Sequence, residues 1–107
     1  MENAGRALVE RAGHLCDLGR YDEALTDCDE FLASYDVEGE TQVSEFVAQA
    51  LLIKGVSLAN TDKIADAIEI LEKVVARFSG KAAEPLADYI VQAEEILEEL
   101  RGLEEEA

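Results

Sequence analysis

Tryptophan is absent from this 107-residue chain, proline, histidine and methionine occur once each, and there are two cysteines. A single proline leaves room for long uninterrupted helices. Cys16, Cys28 and His14 stand without the ligand partners that a zinc-type site requires, so no metal and no other cofactor is expected. Basic residues are also scarce, 9 against 25 acidic ones, for a net charge of -16. Such a surface is repelled by phosphate backbones and anionic lipid, which argues against nucleic-acid and membrane partners. No apolar run approaches the length of a membrane span, and the start MENAGRALVERAG lacks a signal-like apolar core. The expected location is the cytoplasm.

What remains is a helix-forming alphabet. Apolar residues make up 49% of the chain and charged residues 32%, a balance that suits an ordered amphipathic protein. Alanine, leucine, glutamate and isoleucine recur, all tolerant of helix. The length suits one domain.

The chain repeats itself. Shifted by 43 positions without a gap, Ala7-Leu8 falls on Ala50-Leu51, Leu15 on Leu58, Ala24 on Ala67, Leu25 on Ile68 and Cys28 on Leu71. The same shift lays Phe46-Val47-Ala48-Gln49-Ala50 on Tyr89-Ile90-Val91-Gln92-Ala93, so a third unit begins. Within each unit the apolar residues recur at helical spacing: Ala4, Ala7, Leu8, Ala12 and Leu15 form one stripe, and Ala24, Cys28, Phe31 and Tyr35 the next. Gly19 suits the helix end between them and Asp22 a cap for the second helix. In the second unit, stripes through Val43, Phe46, Val47, Ala50, Leu51 and Leu58 and through Ile64, Ala67, Ile68, Leu71, Val74, Val75 and Phe78 flank Asn60-Thr61-Asp62. Gly80 suits the end of that hairpin, and Pro85 the first turn of a fifth helix bearing Leu86, Tyr89, Ile90, Ala93, Leu97 and Leu100. The predicted helices cover roughly 3–18, 22–35, 41–60, 63–78 and 85–101.

These residues resemble the tetratricopeptide repeat, a helix-turn-helix unit with Leu-Gly in its first helix and Ala-x3-Phe in its second. Leu51, Lys54-Gly55 and Leu58, with Ala67 and Leu71, occupy those positions in the second unit, and Leu8, Arg11-Ala12, Leu15, Ala24 and Cys28 in the first. Gly55 is informative because a glycine inside a helix costs about 1 kcal/mol relative to alanine, which close approach of a partner helix would explain. The 43-residue spacing exceeds the family's roughly 34, the surplus falling around residues 36–44, and Asp36 and Ser79 replace the family's terminal proline.

The resemblance implies an all-α, right-handed stack of two antiparallel helical hairpins, repeat one over 3–36 and repeat two over 41–79. A capping helix over 85–101 and an acidic tail over 102–107 would follow. Glu98 stands where the shift places Gly55, which would obstruct a further repeat. Partners of the family lie in the groove of the first helices, and by position that groove would comprise Arg6, Val9, Gly13, Cys16, Gln49, Leu52, Val56, Asn60, Gln92, Glu95 and Glu99. Only Arg6 and Asn60 suit a carboxylate-binding clamp. The implied function is binding of a peptide or helix, to which a basic character would be suited, by a non-enzymatic protein-interaction module. The alternative is a self-association unit, a homodimer using the same apolar surface.

Other candidate chemistry is thin. Carboxylates are abundant without oxyanion donors or a glycine-rich phosphate loop, and Asp36-Val37-Glu38-Gly39-Glu40 lacks the ligand spacing of a calcium loop. Glu94, Glu95, Glu98, Glu99, Glu104, Glu105 and Glu106 form a cluster whose like-charged pairs at i,i+4 are locally unfavourable. It serves solubility or faces a basic partner.

Overall fold

The computed structural model describes residues 3–35, 41–78 and 86–106, with side chains over 6–34, 46–77 and 87–103. Five helices account for almost all of these: α1 (Asn3–Asp17), α2 (Tyr21–Tyr35), α3 (Thr41–Ala59), α4 (Ile64–Phe78) and α5 (Leu86–Glu106). Among the described residues there is no strand. The segment 36–40, with the acidic run Asp36–Glu40, and the segment 79–85, with Gly80 and Pro85, lie outside the described residues.

The same turn closes both hairpins. Gly19 adopts φ +79, the left-handed conformation that glycine reaches without steric cost. There the Gly19 N–H donates to the Cys16 carbonyl at 3.0 Å and the Arg20 N–H to the Leu15 carbonyl at 2.8 Å, satisfying two of the carbonyls orphaned at a helix end. One shift later, Asp62 holds φ 64 and the Lys63 N–H donates to the Leu58 carbonyl at 2.9 Å. The Asn60 amide and the Thr61 hydroxyl donate to the carbonyls of Val56 and Ser57, closing the end of α3. Asp22 is not the cap expected of it: α2 begins one residue earlier, and Asp22 and Glu23 lie in its first turn, where the helix dipole favours anions.

Side-chain pairs set the helix directions. Arg11 reaches Asp27, Lys54 reaches Asp29 and Arg101 reaches Glu72, tying α1 to α2, α3 to α2 and α5 to α4. Cys16 lies beside Ser57 and Gly13 beside Ile53, so α1 and α3 run parallel. α3 packs on α1, α2, α4 and α5, which is why apolar residues surround it on all sides. α2 and α4 are not in contact among the described residues. The result is a layer of α1, α3 and α5 backed by α2 and α4, and the shortest dimension of 19 Å is that of two helix layers.

The core runs continuously through both layers, from Val9 and Phe31 through Val47, Leu51, Leu58, Leu71 and Val74 to Ile90, Leu97 and Leu100. Burying Phe31 and Leu71, both fully inaccessible, contributes about 1.5–3 kcal/mol each. Gly55 lies at the tightest contact: a Cβ there would fall 2.8 Å from Leu71 Cγ and Cδ2. That is the close helix approach which the glycine implied.

One boundary differs from expectation. The fifth helix does not stop at 101 before an acidic tail but continues to Glu106. Gly102 is an exposed helical position with nothing within 4 Å of its would-be Cβ, so it weakens the helix without ending it.

Candidate functional site: a cleft across α1, α3 and α5

Three helices packed in one layer leave furrows on their outer side, and the depth of a furrow depends on side-chain size. At Gly13 nothing stands nearer to the missing Cβ than Ile53 Cδ1, at 3.8 Å. A cleft of about 250 Å³ opens there, lined by Gly13, Cys16 and Asp17 of α1, Leu52, Ile53 and Val56 of α3, and Gln92 and Ile96 of α5. Its floor is apolar.

Five of the eleven residues selected from the sequence line this cleft: Gly13, Cys16, Leu52, Val56 and Gln92. Val9 does not; only 3% exposed, it belongs to the core and offers no surface. Gln49 is half-buried, whereas Arg6, Asn60, Glu95 and Glu99 are exposed outside the lining. Arg6 pairs with Glu10 of its own helix at 3.3 Å, and the Asn60 amide is spent on the Val56 carbonyl at 2.8 Å. Neither of the two candidate clamp residues is thus directed at the cleft. Asp17, Ile53 and Ile96 are lining residues that the sequence reading did not select. The 43-residue shift carries Ile53 onto Ile96, a signal that could have found both.

The two thiols have different surroundings. Cys16 is half-buried at the cleft, where its sulfur accepts the Ser57 hydroxyl at 3.7 Å. Cys28 is buried behind it, and burial, with the carboxylates of Asp29 and Asp27 adding to the effect, pushes its thiol up to about 12. It is therefore protonated at neutral pH and a poor nucleophile.

Asp27 is the one charged residue among the buried ones described. Both its oxygens are engaged by Arg11, at 2.7 and 2.8 Å, in a fork that clamps α1 to α2. The hydrogen bond to Asp27, and then its charge, raise the Arg11 pKa above its ordinary value. This pair explains how an acidic residue survives in the hairpin. His14 is exposed near the end of α1. No group of three potential metal ligands occurs among the described residues, and no helix there is long and apolar enough to cross a membrane.

Glu94, Glu95, Glu98 and Glu99 are all exposed on α5. Compared with family models, with curated proteins and with solved structures, the chain matches none.

Proposed function

We propose that the chain is a tetratricopeptide-like, non-catalytic interaction module that receives a peptide or helix of basic character in the cleft across α1, α3 and α5. The observation that carries this reading is the lining itself. Leu52, Ile53, Val56 and Ile96 offer apolar contact, Gly13 leaves space for an inserted side chain, and among the described residues the only charged one in the lining is the acidic Asp17. The packing of the odd-numbered helices in one layer, the Gly55–Leu71 approach and the repeated turn support the family reading. A cytoplasmic setting with no cofactor goes with it.

Anisotropy of a labelled lysine–leucine amphipathic peptide tests the proposal. Binding should weaken with salt and fall at least tenfold in Val56→Lys, a half-buried position whose change leaves the helical circular dichroism intact. Equal binding to wild type and variant would remove the cleft from consideration. The alternative, self-association, uses the same apolar surface and would bury Leu52 and Val56 against a second copy. A concentration-dependent mass in light scattering that Val56→Lys abolishes would replace the peptide reading with a dimer.

A further inference from the structure

Because α2 and α4 both pack on α3 without meeting each other, a furrow runs between them on the face away from the cleft. It encloses about 650 Å³, and its lining consists of Leu32, Leu51, Lys54, Ile70, Lys73, Ala76 and Arg77. Leu32 and Ile70 are half-buried and Leu51 is nearly inaccessible, so the floor is apolar. Its rim holds three of the nine basic residues of the chain, and among the described residues no carboxylate lines it. Cations are thus concentrated where the fold leaves an apolar floor open.

We propose that this furrow docks an acidic amphipathic segment of another protein, its apolar face on Leu32, Leu51 and Ile70 and its carboxylates against Lys54, Lys73 and Arg77. Lys54 now reaches Asp29 at 2.7 Å and Lys73 reaches Glu69 at 3.9 Å, with both carboxylate side chains well exposed. The Lys73–Glu69 pair, exposed on both sides, contributes little, so an incoming carboxylate exchanges with it readily, whereas the Lys54 side chain is only 25% exposed. The net charge of -16 does not forbid the encounter, since at physiological salt fields decay over about 8 Å and the nearest charges dominate. It does restrict the ligand to a short segment, because a long polyanion would extend onto acidic surface. The furrow also has polarity. Beyond Lys54 it passes into a smaller cleft of about 230 Å³ lined by Leu58, Asp66 and Glu69, so the carboxylates of the segment do not extend past Lys54.

The test titrates the full chain with three labelled peptides followed by anisotropy. One carries glutamates opposite a leucine stripe at i, i+3, i+4 and i+7, one has the same composition with the leucines scattered, and one has lysines for glutamates. The glutamate amphipath should bind at least tenfold more tightly than either other peptide and weaken as salt rises. Lys73→Glu with Arg77→Glu should cost tenfold or more, and Lys73→Glu alone, on an exposed side chain that folding does not require, a smaller loss of the same sign. Val56→Lys, on the opposite face, should leave this binding unchanged. The proposal is overturned by no binding of the glutamate amphipath, by equal binding of the scattered peptide, by indifference to Lys73→Glu, or by preference for a single-stranded oligothymidylate.

Discussion

At equivalent places in the two hairpins, Ala12 and Cys28 stand in the first where Gly55 and Leu71 stand in the second, and all four are buried. One hairpin divides the available volume between two small side chains, and the other gives nearly all of it to one large side chain. A small residue at Cys28 thus goes with a methyl at Ala12, and a large one at Leu71 with none at Gly55. The turns show a similar substitution: glycine at φ +79 in the first hairpin, aspartate at φ 64 in the second. The second unit therefore combines the tighter packing with the more strained turn.

The largest effect expected from breaking this comparison is at Gly55. Gly55→Ala gains helix propensity yet places a methyl against the fully buried Leu71, so urea denaturation should show a net loss of about 1–3 kcal/mol. Adding Leu71→Cys, which reproduces the first hairpin, should restore much of it. Gly13→Ala, at a helical glycine with only an ordinary 3.8 Å contact, should instead gain up to about 1 kcal/mol. If Gly55→Ala proved stabilising as well, the close approach would not limit packing.

A smaller difference separates the turns. Asp62→Gly should stabilise by about 0.5–1 kcal/mol, and Gly19→Ala should destabilise by about 1 kcal/mol, because only glycine occupies the left-handed region without steric cost. Thermal melts of the two variants should move in opposite directions. Equal shifts would mean that the turns are not equivalent.

The smallest effect at neutral pH concerns the cysteines. Cys16 should react with a thiol reagent in the native protein and Cys28 only on unfolding. Since the folded Cys28 thiol titrates near 12 against an ordinary 9.0, the unfolded state releases its proton first. The folded state then holds more protons through that window, so the contribution of Cys28 is intact below about pH 9 and declines as pH rises toward about 12. Cys28→Val should flatten that part of the stability curve, and an unchanged slope would assign it to other groups.

All five helices were legible because apolar spacing and turn residues agree, and the described ends lie within about two residues of expectation except at α5. There Gly102 and a run of glutamates resemble a stop, but backbone hydrogen bonding carries the helix past them. The cleft was legible in part. Register along one helix identifies a face, which selected Gly13, Leu52 and Val56, but the depth of Val9 depends on how closely neighbouring helices approach. The furrow between α2 and α4 had no local signal at all. Lys54, Lys73 and Arg77 belong to two helices, and Lys54 joins the other two only through the packing of α3 on α4, a property that no single periodicity encodes.

The position of α3 has a consequence for how the molecule opens. Each of the other helices can detach while leaving part of the core covered, but α3 is exposed only when several neighbours have gone. Local openings should therefore release the amides of α1 and α5 well before those of α3. The slowest-exchanging amides of the chain should be those around Leu51 to Leu58, and their rate should report global unfolding.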